Sequence, residues 1–391
     1  MHATAQPPTK TTPDNPTATD DPANPAAPAV TADPADPADP GLGQALYIGD
    51  ELLKPYDPEP ALVVPQNLVQ KPKFPVIDVH CHWGPEVSPD FLLQSMDDLG
   101  VKAAVNLSGG YGPKLEAMLA RYHDAAPGRL LILMNLPWEN INEPDFGPRN
   151  AAYIEAMHAK GVAGLKIFKS LGLTTRDDAG NLVRIDDPRL DPIWAKCGEL
   201  GIPVLIHAAD PVAFFQPIDA KNERWLQLHR HPSWSFYGEQ FPSREEVLNQ
   251  RDTVLGRHPG TTFIGAHVAN NSEDLAALRK RLEKYPNLVA DISGRVAELG
   301  RQPYSARRLF MDYPDRILFG TDRYPGRPDQ PRYRIYYRFL ETADEYFKYY
   351  DHPFPPTGEW RIYGIHLPDD VLRKVYHENA ERIFGLDAEP N

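Results

Sequence analysis

The feature that most constrains this chain is a repeated alternation of short apolar runs with longer amphipathic stretches. The runs are Val76–Val79, Lys102–Leu107, Leu130–Leu136, Val162–Phe168, Pro203–Ile206, Thr262–Ala266, Leu288–Ile292 and Arg316–Phe319. They are rich in Val, Ile and Leu and do not strictly alternate with polar residues, as expected of strands buried on both faces. Helical patterns fall between them at Pro89–Leu99, Pro113–Ala125, Asn150–Lys160, Asp191–Leu200, Glu245–His258, Glu273–Tyr285 and Tyr304–Tyr313. Eight such units in about 310 residues predict an α/β protein, a (β/α)8 TIM-like barrel. The competitor is a doubly wound open sheet. No Gly-x-Gly-x-x-Gly follows any run, which counts against it.

Two stretches exceed what the repeat needs and read as loop insertions after strands 5 and 8. Residues 208–257 carry Phe214, Phe215, Trp225, Trp234, Phe236, Tyr237 and Phe241, and residues 323–368 are dense in Tyr and Arg. Both leave from the strand end where barrel active sites sit, so they are expected either to roof a pocket or to cover a neighbouring subunit.

Residues 1–42 stand apart, built of Pro, Ala, Thr and Asp with one Val and no aromatic residue. Such a segment buries too little apolar surface to offset its ordering entropy, so it reads as a disordered, stiff tail. It serves either as a spacer or partner-binding arm or has no specific role. Residues 43–74 read as an extended lead-in and residues 75–387 as the barrel.

The formal net charge of −13 argues against a nucleic-acid or anionic-membrane partner. The two cysteines, Cys81 and Cys197, are too few for a disulfide framework. With no apolar leader pattern and no apolar run of membrane-spanning length, the default expectation is a cytoplasmic enzyme.

The chemistry lies at the strand ends. His80 and His82 close the first strand as Asp78-Val-His-Cys-His82. Residues two apart on a strand share a face, so both imidazoles point into the barrel mouth and Cys81 points towards the helices. His207 closes strand 5, His267 strand 6 and Asp322 strand 8, while Lys166 lies in or near the end of strand 4. Imidazole and carboxylate are natural ligands of zinc, manganese or iron, so the set predicts a divalent-metal enzyme. Asp291 closes strand 7 and is expected to orient Arg295. Arg295 and Arg323 flank the mouth, where either would bind a substrate carboxylate or pair with a surface acid. His229 and His231 repeat the His-x-His spacing beside Pro232, but as surface or lid residues. His377 and Asn379 fall on the last helix. Asn379 shares its buried side with Leu372, Val375 and Ile383 and is expected to hydrogen-bond a barrel loop.

These same residues carry a resemblance. The segment Ile77-Asp-Val-His-Cys-His82, the single His207 and His267, Phe319-Gly-Thr-Asp322 and the closing Tyr376-His-Glu-Asn-Ala-Glu-Arg-Ile-Phe-Gly385 are similar to the amidohydrolase superfamily, in its amidohydrolase-2 branch, over roughly residues 75–387. The resemblance implies a barrel with a bound divalent metal, with zinc first and manganese or iron as alternatives. It implies His80, His82, His207 and Asp322 as ligands and His267 as a ligand or an acid–base group. It implies one of two roles for Lys166: as a carboxylated lysine bridging a second metal, or as a neutraliser of a substrate carboxylate. Lys169 is the other candidate for that neutralising role.

The expected activity is hydrolysis of a small amide, lactone or ester, with Asp322 as acid–base group and His267 polarising the scissile carbonyl. The alternative is non-oxidative decarboxylation of a small aromatic or unsaturated acid, with Asp322 protonating carbon. A third reading, a catalytically dead, metal-free binding barrel, is disfavoured because every expected ligand position is filled. The partner is read as a small-molecule substrate, and a homo-oligomer stays open.

Overall fold

Each of the eight apolar runs forms a strand in the computed structural model, which describes residues 60–326, 331–350 and 357–386. They are β1 (Val76–Cys81), β2 (Val101–Asn106), β3 (Leu130–Met134), β4 (Gly164–Ile167), β5 (Val204–Ile206), β6 (Phe263–Gly265), β7 (Leu288–Asp291) and β8 (Ile317–Leu318). Every neighbour pair is parallel and the spatial order follows the chain, β1 to β8. β1 and β8 meet without a ladder. Val79 N–H donates to Phe319 O at 3.1 Å and Asp322 N–H to His80 O at 2.9 Å. The buried Asp78 carboxylate adds three bonds across this seam, from Thr321 N–H (3.2 Å), Thr321 Oγ1 (2.6 Å) and Tyr333 OH (2.7 Å). The chain is a nearly closed TIM barrel, and the open-sheet alternative is set aside.

Helices lie between the strands: α1 (Pro89–Leu99), α2 (Gly112–Met118), α3 (Phe146–His158), α4 (Asp191–Glu199), α5 (Arg244–Arg257), α6 (Leu275–Lys284), α7 (Val296–Arg301) and α8 (Pro303–Asp312). α1 shows why the boundaries were readable. Ser88 caps its first turn by accepting from Phe91 N–H, Pro89 supplies a preset φ, and Gly100 ends it at φ 74°. Leu92, Met96 and Leu99 make its buried stripe.

The apolar residues divide into two layers. Ile77, Val79, Ala103, Val105, Leu133, Leu205, Ile264 and Leu318 belong to an inner cluster, joined by Ala380 and Ile383 of the last helix. The outer cluster lies between strands and helices and includes Cys81, as expected. Burying each such Leu, Ile or Val stabilises the fold by about 1.5–3 kcal/mol relative to exposure.

Residues of both insertions join this outer layer. The second contains α9 (Pro331–Glu341). Its Tyr333, Tyr336 and Tyr337 are fully buried around Phe319, with ring centroids 6.3, 5.7 and 5.9 Å away. In the first, Phe214 and Phe236 are buried, and Phe215 and Phe241 pack on Phe236 at 5.5 and 5.3 Å. These aromatics thicken the core, and Phe236 also lies against Lys169, its ring centroid 5.4 Å from Nζ. Tyr237 alone of them is largely exposed, at 55%.

The chain closes with α10 (Asp369–Arg373), one wide turn over Lys374–Glu378, and α11 (Asn379–Phe384). Asn379 is buried and donates through Nδ2 to Pro314 O (2.8 Å) and Ile317 O (2.9 Å), which ties the helix to the start of β8. His377 Nδ1 pairs with Glu381 at 3.2 Å, away from the strand ends.

Residues 60–74 form neither helix nor strand but are tied to the body by Asn67 on Asp344 and Lys73 on Asp369. The expected tail, residues 43–59 of the lead-in, residues 327–330 and 351–356 of the second insertion, and Asp387 lie outside the described residues. Among the described residues no helix is long and apolar enough to cross a membrane.

Candidate functional site

A break in β1 aims the first two site residues. Ile77 and Val79 pack in the inner cluster, so simple alternation would place Asp78 and His80 on the outer face. The pairing of β1 with β2 slips between Asp78 and Cys81. Beyond the slip Cys81 sits in the outer cluster, and the His80 and His82 rings face the mouth. A bulge of this kind re-aims side chains beside functional sites. It leaves Asp78 outside, against Thr321 and Tyr333.

Four imidazoles and a carboxylate converge. His80 lies 5.3 Å from His82 and 4.7 Å from His267, and His267 lies 4.5 Å from His207, between ring centroids. Asp322 Oδ1 is 3.5 Å from His80 Nε2 and 3.6 Å from His82 Nε2. His80, His82 and Asp322 form one group whose donor atoms could hold a single ion.

The hydrogen bonds around these rings decide what the site presents. His80 Nδ1–H donates to Asp291 Oδ2 at 2.9 Å, and both side chains are fully buried. Its Nε2 therefore carries the lone pair that faces the Asp322 carboxylate. Burial, reinforced by the charge of Lys166, holds the His80 imidazole well below its ordinary value, so the ring is neutral at neutral pH. Burial pushes the Asp322 carboxyl up, but His80, His82, Arg323 and Arg332 together draw it down to about 2. A neutral lone pair facing a carboxylate at 3.5 Å is repulsive unless a cation stands between them. Tetrahedral zinc bonds of about 2.0–2.1 Å place neighbouring donors roughly 3.3 Å apart, so the spacing suits a shared ion.

Asp291 does more than the sequence suggested. Its Oδ1 accepts from His267 N–H (3.0 Å), Ser293 N–H (3.0 Å) and Ser293 Oγ (2.5 Å). The expected partner Arg295 instead donates to Gly294 O at 2.9 Å. His267 Nδ1–H donates to Ser293 O at 2.8 Å, which leaves Nε2 as its open nitrogen. Burial, then the charges of His207 and Arg295, keep His267 well below its ordinary value.

His267 does not sit on β6 itself. It begins a left-handed turn, with φ of 57° at His267, 61° at Val268, 48° at Ala269 and 58° at Asn270. Each non-glycine residue there costs about 1–2 kcal/mol. The turn is held from outside. Arg251 Nη1 donates to Ala269 O at 2.7 Å, Arg244 donates to Asn270 O, and Asn270 bridges Ala208 N–H and Ala209 O.

His207 follows β5, with Nε2 3.2 Å from Asp210 Oδ1, and Lys169 Nζ meets Asp210 Oδ2 at 2.7 Å. Lys166 is buried on β4, its Nζ 5.2 Å from the Phe168 ring centroid. Arg323 is half-buried, and its Nη1 lies 3.4 Å from Asp322 O. Gly294, at φ 63°, keeps the mouth open. A Cβ there would lie 3.4 Å from Asp322 Oδ2 and 3.6 Å from His267 Nδ1. His229 and His231 stay outside this group, stacked on Trp225 (4.6 Å) and Trp234 (4.1 Å). Sequence reasoning missed Ser108 (2.7 Å from His82 Nδ1), Asp210 and Ser293. The available signals were the spacings His207-x-x-Asp210 and Asp291-x-Ser293.

The amidohydrolase-2 model, described as Amidohydrolase, matches residues 74–386. The chain belongs to this amidohydrolase family. The match spans all eight strands and the stretch that holds the site.

Among solved structures, this amidohydrolase is similar to an amidohydrolase II at 15% identity, covering 79% of this chain and 99% of that one, with a TM-score of 0.50. It is also similar to a dihydroxybenzoic acid decarboxylase from a Polaromonas species, with bound manganese and 2-nitroresorcinol. The identity is 14%, the coverage 81% and 98%, and the TM-score 0.49. A probable 2-pyrone-4,6-dicarboxylic acid hydrolase from Acinetobacter baumannii, with citric acid bound, matches at 12% identity, 79% and 99% coverage and a TM-score of 0.43. No curated protein matches the chain.

Proposed function

We propose that this chain is a metal-dependent hydrolase of a small amide, lactone or ester, with Asp322 as its acid–base group. The observation that carries the reading is the approach of His80 Nε2 and His82 Nε2 to one Asp322 oxygen, at 3.5 and 3.6 Å. The buried His80 Nε2 lone pair facing this carboxylate calls for a cation.

His80, His82, His207 and Asp322 are the proposed ligands, and the donor set suits zinc, with manganese or iron as alternatives. When bound, such an ion supplies Lewis-acid chemistry, polarising a substrate oxygen and easing proton loss from water near neutral pH. Asp322, ionised at neutral pH, accepts the proton of the attacking water and returns it to the leaving group. His267, with its Nδ1–H held by Ser293 O, offers the Nε2 lone pair as a proton acceptor beside the reacting group. Arg295 and Arg323 bind a carboxylate on the substrate. Lys166 either neutralises such a carboxylate or, carboxylated, joins a second ion.

Two measurements test this. Elemental analysis of gently purified protein should find a transition metal at one or two equivalents per chain. Screening against lactones, amides and hydroxybenzoates should find hydrolysis, and Asp322→Asn should lower turnover by about 100-fold or more with the fold intact by circular dichroism. Full activity in that variant, or in metal-free protein, removes the mechanism. Carbon dioxide release from hydroxybenzoates without hydrolysis changes the reaction to decarboxylation and keeps the metal centre.

A further inference from the structure

We infer that Asp210 is a positioning residue that fixes His207 as its Nε2–H tautomer, leaving Nδ1 as the nitrogen that takes the cation. The inference rests on the metal reading above and names how one proposed ligand is prepared for it.

Four observations carry it. Asp210 Oδ1 lies 3.2 Å from His207 Nε2, and both side chains are largely buried. Asp210 Oδ2 accepts from Lys169 Nζ at 2.7 Å. A lysine ammonium bound to one oxygen keeps this group a carboxylate, so the other oxygen, which faces His207, can only accept. The hydrogen in the contact must then belong to His207 Nε2, and the lone pair to Nδ1. The carboxylate is also fixed from behind. Asp210 O accepts from Arg244 Nε at 3.0 Å, and the preceding residues Ala208 and Ala209 are held by Asn270.

The other two buried histidines are prepared by the same device with opposite polarity. His80 and His267 each have Nδ1 occupied, by Asp291 and by Ser293 O, and each leaves Nε2 open. His207 has Nε2 occupied. A ring rotated to offer Nε2 would lose the Asp210 bond and leave a buried carboxylate short of a donor. Metal-bound histidines generally use the second nitrogen in this way, and removing the partner weakens metal binding by about 10- to 100-fold. Asp210 therefore does for His207 what Asp291 does for His80, from a loop three residues on instead of from the end of another strand.

The test uses full-length, metal-free, ¹⁵N-labelled protein at pH 8. Long-range ¹H–¹⁵N correlation spectra report which nitrogen of each ring carries the proton, and His207 is assigned by the signal lost in His207→Gln. The expected result is an Nε2–H tautomer for His207 in the wild type, lost or mixed in Asp210→Ala. Zinc affinity should fall by about 10- to 100-fold in that variant. Lys169→Met, which removes the ion pair but keeps the acceptor, should preserve the tautomer and most of the affinity. A wild-type His207 protonated on Nδ1 overturns the proposal. So does an Asp210→Ala protein with unchanged tautomer and affinity, or a Lys169→Met protein as weakened as Asp210→Ala with its tautomer intact. If Asp210→Ala does not fold, Asp210→Asn serves, and the wild-type tautomer stands as a test without any variant. Wild-type protein that takes up neither zinc nor manganese defeats the metal reading itself, an outcome visible without touching Asp210.

Discussion

His80 Nδ1 lies 2.9 Å from Asp291 Oδ2, and both groups are wholly buried. The pair joins β1 to β7, elements 211 residues apart in sequence. Asp291 also holds His267 N–H and Ser293, so one carboxylate orients a proposed ligand, the adjoining histidine and the hydroxyl between them. Asp291→Asn should therefore weaken zinc or manganese binding by about 10- to 100-fold, measured by metal titration. Unchanged affinity in a folded Asn variant would show that His80 needs no such partner.

Gly294 sits at φ 63°, and a Cβ there would lie 3.4 Å from Asp322 Oδ2 and 3.6 Å from His267 Nδ1. Gly294→Ala brings a methyl group between these two side chains. Turnover should fall by about 10- to 100-fold in steady-state kinetics on whichever substrate the screen returns, while metal content holds. Equal loss of metal would place the damage in the ligands instead.

Asp78 supplies a pH signature. Burial raises its carboxyl from 3.8 to about 6, against the hydrogen bonds from Thr321 and Tyr333. The unfolded chain loses this proton near 3.8, so stability falls as pH rises from there to about 6 and the penalty is complete above it. The shift corresponds to about 3 kcal/mol. Asp78→Asn has no proton to lose. Between pH 4 and pH 7 the stability of Asn relative to wild type should improve by about 2–3 kcal/mol in urea unfolding, with chelator in both samples. A pH-independent difference would mean that Asp78 is not protonated in the fold.

Asn270 bridges β5 to the left-handed turn through Ala208 N–H and Ala209 O, both on fully buried residues. Asn270→Ala orphans both groups and places alanine at φ 58°. The expected loss is about 2–4 kcal/mol by urea unfolding. A loss under about 0.5 kcal/mol would show that Arg244 and Arg251 hold the turn alone.

The barrel was legible because its strands are buried on both faces and its helices carry stripes, and both patterns are local. All eight runs overlap strands, and Asn379 bonds a barrel loop as its burial implied. The positions of His80, His82, His207 and Asp322 followed from strand ends. What stayed hidden depends on distant partners or irregular backbone. The slip in β1 has no periodic signature, and alternation counted from Val79 would have sent His80 outward. Val268 and Ala269 have no preference for positive φ, so the turn that carries His267 is imposed by Arg244, Arg251 and Asn270. Asp291 was placed correctly at the end of β7, but its partner was misassigned because β1 reaches it only through the closed barrel. The stripe Tyr333, Tyr336, Tyr337 and Leu340 had helical spacing and was read as a loop because Arg residues separate its members.

The seam between β1 and β8 also sets a timetable. Asp78 and Thr321, which tie it, are 243 residues apart, and the proposed ligands His80, His82 and Asp322 straddle it. At about 5–20 residues per second, roughly 10–50 s pass on the ribosome between the first pair and the carboxylate. During that interval the growing chain gains the imidazoles of His207 and His267 but not the carboxylate. On the proposed ligand set the centre is complete only once β8 has arrived, and a chain cut short before β8 lacks its carboxylate.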